Sequence, residues 1–184
     1  ELISIFKTTG NDNIFLATRN GMAICFNEND ARAVGRTASG VKAIDLADGD
    51  YVVGAEPVRE DSKVLLVTDG GYGKCTDLTS FRIQHRGGKG LKAYKITEKT
   101  GNIIGISMVN DSEELIMVTS EGVVIRIRIK DIATTTGRIT QGVRLINLND
   151  GVTVVSMDKI SSEDTVEEES EENNTEVTAE TTEE

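Results

Sequence analysis

A chain of 184 residues fits one domain with enough length for a hydrophobic core. Its net charge of -11 argues at first against a nucleic-acid partner, and its two cysteines, Cys25 and Cys75, are too few and too far apart for a disulfide framework or a zinc site. No apolar run approaches the roughly 18 residues of a membrane-spanning helix, no secretory signal opens the chain, and a start at Glu1 instead of Met leads us to expect a chain that begins partway along a longer protein.

The apolar segments are short and rich in β-branched residues, which predicts strands and not helices. Leu2-Ile3-Ser4-Ile5 reads as the closing strand of an earlier unit. Residues 13–18 form the first strand of the next unit, Arg19-Asn20-Gly21 a hairpin turn and residues 22–27 the returning strand, since Asn-Gly between strand patterns signals a hairpin. Glu28-Asn29-Asp30-Ala31-Arg32 fits one helical turn; a loop from Arg36 to Gly40 follows, then a third strand over 41–46 and a fourth over 51–58. The same order returns with strands at 64–68, 72–76, 91–96 and 102–109, and again at 115–119, 123–129, 143–148 and 152–157.

The period is direct: Thr18, Thr68 and Thr119 are 50 and 51 residues apart, and Gly40, Gly90 and Gly142 are 50 and 52 apart. Four strands per ~50 residues predicts an all-β, propeller-like array, because one such blade cannot bury its faces without neighbours. About three four-stranded blades, near 1–58, 59–109 and 110–160, make an arc with at least one incomplete edge. Cys25 and Cys75 occupy the same strand position in successive units, where the third has Arg126; reduced thiols of a cytoplasmic protein fit that placement.

Residues 161–184 differ in kind. They hold eleven acids and no Lys or Arg, with two valines and an alanine as the only apolar residues, so a disordered acidic tail is expected. Setting those eleven aside leaves 20 acids against 20 bases in the rest, a neutral body. Within it, windows 36–46, 86–96 and 138–148 carry Arg36, Lys42, Arg86, Lys89, Lys92, Lys95, Arg138 and Arg144 against Asp45 alone. Each window has one form: an arginine, three residues, a glycine (Gly40, Gly90, Gly142), a hydrophobic residue and a cation. Glycines that permit close approach, followed by repeated cations, predict loops that meet phosphates. Read singly, each cation is also an ordinary solvated loop residue.

The middle copy, Gln84-His85-Arg86-Gly87-Gly88-Lys89-Gly90, with Gly35-Arg36-Thr37-Ala38-Ser39-Gly40-Val41-Lys42 and Gly137-Arg138-Ile139-Thr140-Gln141-Gly142-Val143-Arg144, resembles the DNA gyrase A C-terminal domain family over residues 1–160. The family's wrapping box has arginine where this chain has His85, and it normally lies in the first blade, whereas here it falls in the penultimate one. The resemblance implies a β-pinwheel, a disc whose blades exchange a strand and whose rim wraps double-stranded DNA. It implies as DNA-binding residues Arg36, Lys42, Gln84, His85, Arg86, Lys89, Lys92, Arg138 and Arg144, with loop glycines Gly40, Gly87, Gly88, Gly90 and Gly142. It further implies a bacterial, nucleoid-associated setting and a place in an A2B2 complex with gyrase B, where ATP and magnesium belong to the intact complex. Topoisomerase IV carries a similar domain; the repeat pattern and the acidic tail favour gyrase. The tail is expected either to compete with DNA for the basic loops or to keep the chain soluble.

Catalysis is not expected of this chain. Tyr51, Tyr72 and Tyr94 lack the context of a cleavage tyrosine, His85 has no triad partners, and Gly87-Gly88-Lys89-Gly90 lacks the spacing and the Ser/Thr of a Walker loop. The rival class is a protein-binding propeller scaffold, since propeller architecture alone does not fix function.

Overall fold

The computed structural model describes residues 1–161. The expected acidic tail, all but Ser161, lies outside the described residues. Among them there is no α-helix; twelve strands form three sheets. The first sheet has the order β3-β1-β2-β6, with β1 Asn13–Thr18, β2 Met22–Asn27, β3 Val52–Pro57 and β6 Leu91–Lys92. The second has the order β10-β5-β4-β7, with β4 Lys63–Thr68, β5 Tyr72–Asp77, β7 Ile103–Val109 and β10 Thr134–Thr135, and β11 Val143–Arg144 also pairs with β5. The third is β12-β8-β9, with β8 Glu114–Thr119, β9 Val124–Arg128 and β12 Val154–Ile160.

Each blade is built on one hairpin, and threonine explains its turn. Gly21, Gly71 and Gly122 sit at φ between 77° and 85°, donating to the carbonyls of Thr18, Thr68 and Thr119 at 2.9–3.1 Å. The threonine Oγ1 then accepts the amide of the residue after the glycine, from Met22 at 3.2 Å, Tyr72 at 3.2 Å and Val123 at 3.1 Å. A buried hydroxyl thereby satisfies an amide that the turn takes off the ladder. After the hairpin a single 3-10 turn follows in every unit, at Glu28–Asp30, Leu78–Ser80 and Ile129–Asp131.

The blades exchange strands. β6 comes from the second unit yet pairs with β2 of the first, Met22 opposite Lys92; β11 comes from the third and pairs with β5, Tyr72 opposite Arg144. The third strands expected over 91–96 and 143–148 are only two residues each, β6 and β11, and two further sequence expectations are corrected. Residues 41–46 are not a strand, and by the register of β6 and β11 their partner would be the returning strand of a preceding unit, which is not in this sequence. Leu2 to Ile5 is likewise not a strand, because its hairpin partner would belong to that same unit. Among the described residues the third sheet has three strands, and none of them is an exchanged strand on β9.

Between sheets, alternation builds two inter-blade cores. Phe15, Ala17, Ala23 and Cys25 of the first blade pack on Val64, Leu66, Ile106 and Met108 of the second. Leu65, Val67 and Cys75 of the second pack on Leu115, Met117, Ile129 and Ile132. Both cysteines are free and buried, and burial pushes their thiols up to about 11. On its other side the first blade buries Ile14, Leu16, Ile24 and Phe26 under Ile44. The far side of the third is charged: Arg126 pairs with Glu114, and Arg128 with Asp131 at 2.9 Å.

Candidate nucleic-acid interface

The loop 84–90 lies along the outer edge of the first blade. On one side of it Ile83 bridges Cys25 in parallel, on the other β6 pairs with β2, and the loop bulges outward between the two contacts. Gln84 N donates to Cys25 O at 2.8 Å, Gly87 N to Ala43 O at 2.6 Å and Asp45 N to Gly88 O at 2.9 Å. Gly90 takes φ 72° against the carbonyl of Ala23, where any Cβ would collide. The close approach that glycine permits is thus made here to the protein's own strand.

Arg86 is the strut of this loop. Its Nε donates to Asp30 O at 2.7 Å and its Nη1 to Lys42 O at 2.9 Å, joining the loop to the 3-10 turn of the first unit and to residues 40–45. In the next loop Arg138 repeats the contact, Nη1 to Ser80 O at 3.3 Å, again at the last residue of a 3-10 turn. Arg36, the first copy, is exposed and makes no hydrogen bond or ion pair among the described residues. Exposed His85 lies with Nδ1 3.1 Å from Asp30 Oδ2. The Gln84 amide nitrogen is buried without a hydrogen-bond partner among the described residues.

Loop 136–142 is held from beneath as well. Lys74, in the middle of β5 and fully buried, donates to Gly137 O at 3.3 Å and to Arg138 O, with its ammonium 5.3 Å from the Tyr94 ring centroid. Tyr94 in turn donates to Gln141 O at 2.5 Å, and Gly142, at φ 69°, lies against Gly73 and the Tyr94 hydroxyl. Burial brings Lys74 down to about 8 and pushes the Tyr94 phenol up. Sequence reading passed over Lys74, although the repeat carried a signal: it stands where the other units have Ile24 and Ile125.

The cations are not equally available. Lys42 Nζ pairs with Asp45 Oδ1 at 2.9 Å, and that hydrogen bond, then the charge of Lys42, holds the Asp45 carboxyl below its ordinary range. One repeat on, Lys92 and Lys95 occupy the same two positions, both exposed and without an ion pair among the described residues. Lys89 is exposed beside them. Arg144 is tied to neutral groups, donating to Tyr72 Oη and, at 2.9 Å, to Asn147 Oδ1, so its charge is not cancelled. The seam between the first two blades is therefore the most positive part of this edge.

The sequence model of the family described as "DNA gyrase C-terminal domain, beta-propeller" matches residues 12–59, 62–110 and 113–161. The DNA gyrase A protein of Staphylococcus epidermidis is 46% identical over 166 residues, covering 89% of this chain and 18% of the relative. That of Ureaplasma parvum is 45% identical over 157 residues, covering 85% and 19%. The chain thus spans about a fifth of the length of these curated relatives. Among solved structures, the C-terminal domain of DNA topoisomerase IV superposes with a TM-score of 0.83 at 26% identity, over 94% of this chain and 54% of the other. A DNA gyrase A C-terminal domain superposes with 0.76 at 25%, over 85% and 52%. The described residues include no helix long and apolar enough to cross a membrane. With three unit-length matches covering most of its length, this chain belongs to the family of DNA gyrase A C-terminal domains.

Proposed function

We propose that the chain binds duplex DNA without sequence preference and bends it along the outer edge of successive blades, as the wrapping part of a gyrase A protein. The observation that carries this reading is the recurrence, in each of the three units, of a glycine loop and a following cation. Arg36, Lys42, Lys89, Lys92 and Arg144 meet phosphates; Arg86 and Arg138 hold their loops in place and add charge. Gln84 and His85 flank the first strut, and Gly40, Gly87, Gly88, Gly90 and Gly142 give the loops their shape. Smoothly bending 20–30 base pairs through 40–90° costs on the order of 1–6 kcal/mol, which several phosphate contacts spread along the arc can offset.

Within an A2B2 assembly with gyrase B in the bacterial cytoplasm, such wrapping would set the handedness of the crossing that the enzyme passes through its gate. ATP-driven negative supercoiling and the cleavage chemistry would then reside elsewhere in the assembly, this part being non-catalytic. Identities of 46% and 45% to curated gyrase A proteins favour gyrase. The acidic stretch 161–184 competes with DNA for the basic edge, because tethered carboxylates act at high effective concentration within a screening length of about 8 Å.

The test is duplex binding across a salt series by the 184-residue chain and by a variant with the eleven tail acids changed to Gln or Asn. Sequence-indifferent, steeply salt-dependent binding that tightens in the variant is expected. Equal affinities at low salt would remove the competition. No binding by either folded protein would remove the DNA reading in favour of a protein-binding propeller.

A further inference from the structure

Strand exchange brings three residues distant in sequence together at the hairpin end of the second blade. Tyr72 opens β5; Arg144 faces it across the β11 pairing; Lys99 reaches it from the turn 97–101, which is fixed to the hairpin by Gly70 N donating to Thr100 O at 3.1 Å. The Lys99 ammonium is 5.6 Å and the Arg144 guanidinium carbon 5.5 Å from the Tyr72 ring centroid. Arg144 donates to Tyr72 Oη through Nε at 3.1 Å and Nη2 at 2.9 Å. Those bonds occupy the acceptor side of the phenol and leave its proton to be donated.

This cluster carries charge that nothing cancels. Neither cation makes an ion pair among the described residues, and the hairpin's Asp69 is turned to accept Asn102 N at 2.8 Å. Glu98 neighbours Lys99 in the chain without pairing with it. The hydrogen bond from Arg144, and then Lys99, hold the Tyr72 phenol below its ordinary value, as a positive field on that oxygen requires. No other unit builds it. Met22 and Val123 stand in place of Tyr72, and the corresponding turns read Ala47-Asp48-Gly49 and Asn149-Asp150-Gly151, acidic where this one is Lys99-Thr100-Gly101.

We infer that Tyr72, Lys99 and Arg144 form a phosphate-binding site specific to the second blade, whose ligand is a backbone phosphodiester of the wrapped duplex. Two cations and one hydroxyl donor gathered around the Tyr72 ring suit a tetrahedral oxyanion. The segment running from Lys92 through Lys95 ends at Lys99, so the site extends the most positive seam toward the hairpin end. This inference rests on the DNA-binding reading.

Two measurements test it in the 184-residue chain. Inorganic phosphate titrated into the protein should shift the NMR signals of Tyr72, Lys99 and Arg144 saturably, and these shifts should vanish in Lys99→Ala and shrink in Tyr72→Phe, with Lys130→Ala as the control. In duplex binding, Lys99→Ala should make the log-log salt slope shallower by about 0.9, one phosphate contact. Lys130→Ala, at an exposed side chain of a 3-10 turn, should leave it unchanged. Phosphate shifts without any DNA binding would keep the anion site and overturn its assignment to DNA. DNA binding with a salt slope indifferent to Lys99→Ala, or a phosphate titration that leaves these residues unmoved, would overturn the site while the DNA reading stands.

Discussion

At Lys74 the burial of an ammonium without a carboxylate partner sets up a measurable pH dependence. Burial lowers this group from 10.5 to about 8, so between those values the unfolded chain binds more protons than the folded one, and stability contributed by this residue rises with pH across the window. At pH 7 both states hold the proton and the full cost of burying the charge is present. The thiols of Cys25 and Cys75, raised from 9.0 to about 11, act in the opposite sense above pH 9. A difference between variants cancels them. The stability of wild type minus that of Lys74→Met is expected to grow from pH 7 to pH 10 by roughly 1–3 kcal/mol in urea titrations; a flat difference would mean that the ammonium does not titrate in its buried setting. The turn threonines give a second expectation at this scale. Thr68 is fully buried and its Oγ1 accepts Tyr72 N, so Thr68→Val keeps the shape, strands that amide, and should cost about 1–3 kcal/mol of unfolding free energy.

Among the elements, the repeat of about 50 residues, the hairpins and the 3-10 turn were legible, because hydrophobic alternation and Asn-Gly or Gly-Gly turns are local signals. Pairing partners were not. The pattern of Leu91 and Lys92 says that they are extended, but their partner, β2, lies some 70 residues away in the chain, and only the family likeness carried the exchange. The arginine struts were hidden for the same reason: Arg86 reads as a loop cation until Asp30 O is found against it across 56 residues. The exchange also predicts that one motif position behaves differently in two places. Gly40 and Gly142 both take positive φ, yet a Cβ on Gly40 meets open space while one on Gly142 strikes the backbone of Gly73. Gly40→Ala should therefore cost only the left-handed penalty, of order 1 kcal/mol. Gly142→Ala should cost more by calorimetry and, by hydrogen exchange, should loosen loop 136–142 selectively. Equal losses would mean that loop docking contributes nothing.

For the whole molecule, what matters is where charge remains after the protein has used some of it internally. A neutral body acquires a positive edge because its loops repeat in register around the arc, but Asp45 interrupts that edge in the first unit by pairing with Lys42. The position belongs to Lys95 in the second unit and to Asn147 in the third, so the fold tolerates an uncharged polar side chain there. Asp45→Asn should leave Lys42 extended toward solvent and add one net positive charge beside the loop that bears Lys89, whose field contributes to holding the Asp45 carboxyl down. Most substitutions at a binding surface weaken it; this one should strengthen duplex affinity several-fold at 50 mM salt. The gain should shrink as salt rises, because one additional phosphate contact steepens the salt slope by about 0.9. The single Lys42→Ala variant should lose affinity in wild type only modestly, and more in the Asp45→Asn background, where the ammonium is no longer neutralised. An unchanged salt slope in Asp45→Asn would place the DNA path away from the seam between the first two blades.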